Sequence, residues 1–429
     1  MASASTAAAL DAGKTPGQLS QERSKRFADA YQLKQPDRIP IMVPFGNLLA
    51  DLAGITRQEM YNHPDKAMDA LVDAALRFQP DAAFGGMFSP GPSRVLGDVM
   101  TKWPGRDLGE NSSFQYNEGE YMKAGDYDAF LADPTDWAIR TYLPRVFKEL
   151  KGLSLLPHLG MTLLGYFAVS GYIADLATPE LAHAFQAMLE AAQEQVKWME
   201  LMRKSAARMA EAGMGAMPLA GGSVQTAAPF DFMSDTLRGM RGIFLDMRRC
   251  PEKLLAAEEK VLRFQVENAI ERSKTRGVTM VSIPLHRGSD GFISLAAFEK
   301  FYWPQFKKMV FDLTDAGLTT VIFWEGCWNQ RLHHLAELPK GKTIGWFQSS
   351  DIFKVKVVLG DTMCIMGGMP VGLLAGGTPD EIRERTKRVC EVAGKGGGFI
   401  MSSEIAELEG CNPDLIKIWI DATKEYGQY

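Results

Sequence analysis

A carboxylate and a thiol stand two positions apart in the sequence WEGC, as Glu325 and Cys327. Where a strand ends in a loop, both side chains can point at one ion, and zinc binds a thiolate well and a carboxylate acceptably. The pair is therefore a candidate zinc site, although an ion pair beside a buried thiol also accounts for this spacing. A catalytic zinc needs a third protein ligand and keeps one position open. The candidates for the third ligand are Glu404, with Cys411 and His286 as alternatives.

A histidine follows a predicted strand in residues 284–290, PLHRGSD. Because imidazole titrates near neutral pH, His286 is a candidate general acid or base. Arg287 and Asp290 could orient it or bind a polar group of the substrate, and Asp290 is taken with His286 as a candidate catalytic residue. A purely structural histidine is the alternative interpretation.

Eight short apolar runs, separated by helix-favouring segments, could position these side chains. Alternating strands and helices predict a parallel sheet, and eight such units in one chain predict a single (β/α)8 TIM barrel. The runs cover residues 38–45, 81–86, 215–221, 278–284, 319–325, 343–348, 363–368 and 398–403.

Two segments fall outside this pattern. Residues 87–213, after the second predicted strand, are too long for an ordinary connection, so they predict a loop and helical insertion at the carboxyl end of the barrel. Within them, residues 153–174 carry no charged side chain, but proline, histidine and glycines favour a buried helical insertion or a subunit interface over a membrane span. Residues 1–22 are predicted to be a disordered extension, which leaves 23–429 for the barrel.

Side chains just beyond the carboxyl ends of barrel strands face the reaction centre. This rule selects a set of candidate substrate-binding residues, whose methionine and phenylalanine members suit a flat, apolar ligand. The set is Asn47, Met87, Phe88, Arg287, Asn329, Gln348 and Met369.

Composition narrows the range of partners and compartments. The net charge is −5 and no long basic block is present, which disfavours nucleic acid and anionic membranes as partners. The five cysteines are scattered without a CxxC pair, and the N-terminus lacks the features of a signal peptide. The sequence therefore predicts a cytoplasmic protein with reduced thiols.

Several modest motifs occur in a familiar order from about Arg23 to the C-terminus. Together they resemble the uroporphyrinogen decarboxylase superfamily, which includes the decarboxylase, corrinoid-dependent methyltransferases and an epoxyalkane:coenzyme M transferase. The motifs are PDRIP at 36–40, PF at 229–230, the helix at 293–304, GGMP at 367–370, GTPDE at 377–381 and GFIMSS at 398–403.

The resemblance favours the methyltransferase branch. The decarboxylase has an arginine-bearing loop after its first strand, and residues 44–49 here (PFGNLL) contain nothing that could bind a polycarboxylate. The methyltransferases bind zinc through His-x-Cys after the fifth strand and a cysteine after the last. In this chain Glu325-x-Cys327 and Glu404 or Ile405 take those places, unless Cys411 serves.

This resemblance implies a metal-assisted methyltransferase. The oxygen-rich ligand set favours an O-methylated donor, including aromatic ones, whose leaving oxygen zinc or His286 would stabilise. The chain has no DxHxxG sequence, so a separate corrinoid-binding protein would supply the corrinoid. Two alternatives stay open: a metal-independent decarboxylase or lyase that uses His286 and Asp290 on a small non-porphyrin substrate, and a non-catalytic barrel that has lost its zinc site. A homodimer is compatible with each of them.

Overall fold

A computed structural model describes residues 11, 13–86, 88–216 and 223–429. The strands in these ranges are short and mostly buried. They are β1 Met42–Pro44, β2 Ala82–Phe84, β3 Thr101–Lys102, β4 Gln115–Tyr116, β5 Ser223–Gln225, β6 Met280–Leu285, β7 Thr319–Trp324, β8 Thr343–Phe347, β9 Cys364–Met369 and β10 Phe399–Ser403.

The larger sheet is parallel and follows the order β10-β9-β8-β7-β6-β5, while β1 pairs in parallel with β2. A parallel bridge between Ile41 and Met401 brings the start of β1 next to β10. Every residue of β8, β9 and β10 is buried, as expected for parallel strands with helices packed around them. The short strands β3 and β4 form a separate antiparallel pair. The chain therefore has an α/β fold built on a six-stranded parallel sheet.

The helices follow the strands in alternation after β5. The α-helices are α1 Pro16–Tyr31, α2 Leu48–Ala53, α3 Arg57–Asn62, α4 Pro64–Phe78, α5 Gly91–Leu96, α6 Tyr127–Ala132, α7 Pro134–Trp137, α8 Leu143–Val146, α9 Tyr166–Tyr172, α10 Pro179–Glu211, α11 Pro229–Asp231, α12 Gly239–Arg249, α13 Pro251–Arg276, α14 Leu295–Ala297, α15 Trp303–Asp315, α16 Leu332–Leu335, α17 Ile352–Leu359, α18 Val371–Gly376, α19 Pro379–Val392 and α20 Pro413–Tyr426. The π-helical segments are Ala138–Tyr142, Phe232–Arg238 and Phe298–Tyr302. The 3-10 segments are Ala124–Asp126, Lys148–Leu155, Leu159–Leu164 and Ile173–Ala177.

Five of the eight predicted strands, those at 278–284, 319–325, 343–348, 363–368 and 398–403, coincide with β6 to β10 within a residue or two at either end. The first is reduced to the three residues of β1, Met42–Pro44. The third, at 215–221, lies mostly outside the described residues, and β5 begins just after it. At its start, the Gly215 N–H donates to the carbonyl oxygen of Asp81 at 2.7 Å.

The N-terminal segment corrects one expectation. Residues 16–22 were predicted to be disordered, but they form the first turns of α1. Thr15 and Gln18 cap this helix reciprocally, which satisfies the free N–H groups at its start. The buried Arg26 then joins the helix to the sheet through an ion pair with Asp81, at 2.9 Å. Residues 1–10 and 12 lie outside the described residues.

The segment without charges, 153–174, is broken into short turns and the seven-residue α9. Among the described residues, no helix combines the length and the apolar character needed to cross a membrane. The rest of the 87–213 insertion carries the β3–β4 pair and the 33-residue α10. Its Tyr116 hydroxyl donates to the carbonyl oxygen of Asp235, which lies just beyond β5.

Candidate active site

The loop that follows β6 is fixed by a buried carboxylate. Asp231, the last residue of α11, is 2% exposed and accepts hydrogen bonds from the backbone N–H groups of His286, at 2.9 Å, and Arg287, at 3.0 Å. The Tyr302 hydroxyl donates to the same carboxylate at 2.8 Å. Since backbone and side-chain donors converge on Asp231, His286 is held at the carboxyl end of β6.

One turn further along the chain, Asp235 orients the imidazole ring. Its Oδ2 lies 2.5 Å from Nδ1 of His286, and its Oδ1 accepts from Nε of Arg287 at 2.9 Å. Arg287 also donates to Glu118 of the insertion at 3.1 Å. The other ring nitrogen of His286, Nε2, is 3.4 Å from Oε2 of Glu325. The side chains of His286 and Glu325 are 42% and 44% exposed, so a ligand can reach Nε2.

These contacts decide the charge of the imidazole. Burial alone would lower the pKa of His286, but the hydrogen bond and charge of Asp235, with the charges of Asp231 and Glu325, raise it to about 9. Burial and the neighbouring Asp235 raise the pKa of Asp231 to about 6. His286 is therefore protonated at neutral pH, and the exposed Nε2 can donate a proton.

The predicted pair Glu325 and Cys327 separates in the loop after β7. Gly326 adopts a φ of 79°, a conformation that favours glycine, and turns the chain between them. Glu325 faces His286, whereas the Cys327 thiol lies against the carboxylate of Asp290. Burial and that carboxylate raise the pKa of the thiol, which opposes formation of the thiolate that zinc requires.

The proposed third ligands have other contacts. Burial raises the pKa of Glu404, against the effect of the positive charge of Arg385. The Cys411 thiol lies 3.9 Å from the carbonyl oxygen of Val371, and burial raises its pKa to about 11. Across the residues that the structure describes, no three histidine, cysteine or acidic side chains are grouped so that they could hold a metal ion. The predicted ligand set does not fit a zinc site in this arrangement, and zinc binding stays a prediction.

Asp290 fastens two loops together and does not contact His286. Its carboxylate binds the guanidinium of Arg331 and accepts from the backbone N–H of Gln330 at 3.0 Å. Besides Glu325, the carboxylates at His286 are those of Asp231 and Asp235, which were not predicted from the sequence. The sequence does carry a signal for them: Asp231 and Asp235 are four residues apart, after the third predicted strand at 215–221, and this spacing puts two side chains on one side of a helical turn.

The polar residues predicted to bind substrate mostly hold loops in place. The Asn47 side chain donates to Ser113 and Glu409 and is 1% exposed. Gln348 accepts from the backbone N–H of Gly326 at 2.5 Å, and Asn329 accepts from that of Asp351 at 3.0 Å. Their positions at strand ends agree with the prediction, but their polar groups are already engaged.

The other predicted substrate residues differ in accessibility. Met369 is fully buried in the core, whereas Phe88 is 51% exposed and packs edge-on against Phe114. Met87 lies outside the described residues. Arg287 is the member of the set that contacts the His286 cluster, and its guanidinium also lies 5.0 Å from the ring centre of Phe292.

The protein is an α/β protein with an enzyme-like site at the strand ends. Its parallel strands have helices packed around them, and a cluster of titratable side chains lies beyond β5, β6 and β7. The model of the uroporphyrinogen decarboxylase (URO-D) family matches residues 170–426, and the chain belongs to this family. The predicted family resemblance is thereby confirmed.

Two further comparisons bear on the fold. A methyltransferase from Methanosarcina mazei is structurally similar, with a TM-score of 0.58 and 14% sequence identity over 94% of this chain and 98% of that chain. At this identity the likeness shows a shared fold. A search of curated proteins finds no match to this sequence.

Proposed function

We propose that this protein is an enzyme that transfers a methyl group between a small O-methylated substrate and a separate corrinoid protein. The observation that carries the proposal is the line of Asp235, His286 and Glu325, which holds a protonated imidazole at an accessible strand end. Membership of the URO-D family and the likeness in fold to a protein described as a methyltransferase support the choice of reaction.

His286 acts as the general acid in this proposal. The bond between the substrate oxygen and its methyl carbon breaks, and the electron pair stays on the oxygen. The proton on Nε2 of His286 passes to that oxygen, so the leaving group departs as a neutral hydroxyl compound. The reduced corrinoid supplies the electron pair of the new bond to the methyl carbon. Asp235 stabilises the imidazolium before the transfer and fixes the direction of the ring.

An aromatic substrate suits the surroundings of His286. The ring of Phe292 is 42% exposed beside Arg287, so a second ring can pack in the same region. The carboxylates of Glu118 and Glu325 disfavour an anionic substrate there. A neutral aromatic methyl ether therefore fits this region better than a carboxylate-rich compound.

A closed eight-stranded barrel and a cytoplasmic location are parts of the same proposal. Closure requires β2 to pair with the third predicted strand, and the hydrogen bond from the Gly215 N–H to the carbonyl oxygen of Asp81 supports it. The five cysteines are unpaired, which agrees with a reducing compartment.

Zinc is left out of the proposed steps. The side chains near His286 that could bind zinc are either held by other contacts or too few to complete a ligand set.

The test is a methyl-transfer assay with cob(I)alamin, generated by a strong reductant, as the acceptor and a panel of aromatic methyl ethers as donors. We expect the absorbance of cob(I)alamin to decay to that of methylcobalamin, and the demethylated phenol to appear in equal amount. His286→Gln should slow the transfer by roughly 100-fold, since it removes the proton donor. A full rate in that variant, or no transfer from any ether, would contradict the proposal.

The same imidazolium also supports a second candidate, decarboxylation of a small aromatic acid. Its carboxylate would have to bind to His286 and Arg287 against the charges of Glu118 and Glu325. Loss of carbon dioxide leaves a carbanion that must accept a proton, and Nε2 of His286 could deliver it. Release of carbon dioxide from hydroxybenzoates, without any methyl transfer, would favour this candidate.

A further inference from the structure

Exposed apolar side chains are concentrated in one part of the insertion. More than half of the exposed large apolar side chains in the described part of the chain lie between Leu155 and Met199, about a tenth of the sequence. They include Leu163, at 90% exposure, and Val196, at 65%. Exposed apolar side chains concentrated in this way often mark an interaction site.

Helix α10 has two apolar faces. Its inner face packs against the 3-10 segment Lys148–Leu155 and against α5. The buried residues of that face are Leu181, Ala184, Ala187 and Ala191. Its outer face carries apolar residues spaced alternately four and three positions apart, and all of them are exposed. They are Phe185, Leu189, Ala192, Val196 and Met199.

Spacing of four and three is the pattern that packs one helix along another. Positions that flank the outer face within this stretch are occupied by Gln186, Gln193 and Gln195, which are polar but uncharged. Two copies of the same face can therefore approach without repulsion between like charges. A strongly charged partner, in contrast, would find no complementary charge along the seam.

The area is sufficient for a stable interface. The two 3-10 segments and the helix α9 that precede α10 add further exposed apolar side chains. The last of these segments, Ile173–Ala177, packs against α10 itself. If each side chain is given about 150 Å², the lower end of the range for aromatic residues, the exposed fractions between Leu155 and Met199 amount to roughly 1,000 Å². A standard interface takes about 800 Å² from each partner.

We propose that α10 and the preceding uncharged segment form the interface of a homodimer, in which the two α10 helices pack antiparallel. The antiparallel order places large side chains opposite small ones. Leu189 would contact Ala192 of the partner subunit, and Met199 would contact Ala182 of the partner subunit. A lipid surface is the rival occupant, and the acidic net charge of −5 disfavours it at anionic membranes.

Sedimentation equilibrium of the full chain tests the proposal. The wild type should have twice the monomer mass of 47.3 kDa at micromolar concentration. Leu189→Glu and Val196→Glu should each raise the dissociation constant roughly 100-fold or more, because a carboxylate would be buried against apolar side chains. Val357→Glu is the matched control: Val357 is 83% exposed outside this surface, and its substitution should leave the dimer intact.

The direction of packing has its own test. A mixture of Leu189→Glu and Ala192→Lys chains should recover a heterodimer, since these positions face each other in the antiparallel order. A monomeric wild type, or a dimer that survives both glutamate substitutions, would overturn the proposal. So would a monomer that sediments with phosphatidylcholine vesicles, which would assign the surface to lipid. Far-ultraviolet circular dichroism checks that each variant is folded.

Discussion

Nδ1 of His286 lies 2.5 Å from Oδ2 of Asp235, and the other oxygen of the same carboxylate binds Arg287. One aspartate thus orients two neighbouring side chains after β6. The arrangement leaves Nε2 of His286 as the ring atom available to a ligand, and it raises the pKa of the ring to about 9 against the effect of burial.

Asp235→Asn should move the alkaline limb of the activity profile to lower pH. A general acid works in its protonated form, so wild-type activity should fall as the pH rises through about 9. Without the charge of Asp235, the pKa of His286 decreases and the fall begins earlier. The measurement is kcat/KM against pH.

The raised pKa of His286 also contributes to folding stability. This contribution is fully present below about pH 6.5, the ordinary pKa of histidine, and it is lost as the pH rises through about 9.

Asp290→Asn is the control for this profile, because Asp290 binds Arg331 and does not contact His286. The pH at which activity falls on the alkaline side should be unchanged in that variant. If it moves with Asp290→Asn and not with Asp235→Asn, the orienting carboxylate has been assigned to the wrong residue.

Tyr302→Phe should destabilise the protein by about 1–2 kcal/mol, the usual effect of losing one buried hydrogen bond. The hydroxyl of Tyr302 donates to Asp231, whose carboxylate also holds the backbone of His286. Urea unfolding measures the change. Tyr31→Phe is the matched control, because the buried hydroxyl of Tyr31 has no hydrogen-bond partner among the described residues. Equal destabilisation in both variants would mean that the bond to Asp231 contributes nothing.

Cys327→Ala should leave the metal content of the purified protein unchanged. The thiol lies against Asp290, and its raised pKa keeps it protonated at neutral pH. Plasma emission spectrometry of wild type and variant, purified without added metal, gives the zinc content per chain. Joint loss of zinc and activity in the variant would instead establish the ligand pair that the sequence predicted.

The fold could be predicted from the sequence more fully than the site. Strands β6 to β10 are continuous apolar runs between helix-favouring segments, and this local pattern is enough to find them. The helix at 16–22 was missed because its stability comes from a capping box and from the contact of Arg26 with the distant Asp81, which composition does not reveal.

The site depended on contacts between remote segments. The strand-end rule found His286 and Glu325, which do face each other. It could not tell that Gly326 turns Cys327 towards Asp290, or that Asp235, 51 positions before His286, supplies the orienting carboxylate. The first fact follows from the conformation of a loop, and the second from a contact between two segments that are remote in the sequence.

Glu258→Gln should stabilise the protein, and the gain should grow with pH. Glu258 lies in α13 with 0% exposure, and neither carboxylate oxygen has a hydrogen-bond partner among the described residues. Burial, together with the charge of Asp231, raises its pKa. Above about pH 4.3, the ordinary pKa of glutamate, the unfolded chain gains by ionising while the folded chain keeps its proton, so the wild type loses stability as the pH rises. Glutamine removes this loss.

Urea unfolding at several pH values from acidic to mildly alkaline should therefore show two curves that converge at low pH and separate as the pH rises. Glu267→Gln is the matched control on the same helix, because the side chain of Glu267 is exposed. A constant difference between wild type and Glu258→Gln at every pH would mean that the carboxyl group is ionised in the folded protein. Some buried donor would then have to bind it, and the carboxylate of Asp231 would have a charged neighbour beneath the candidate site.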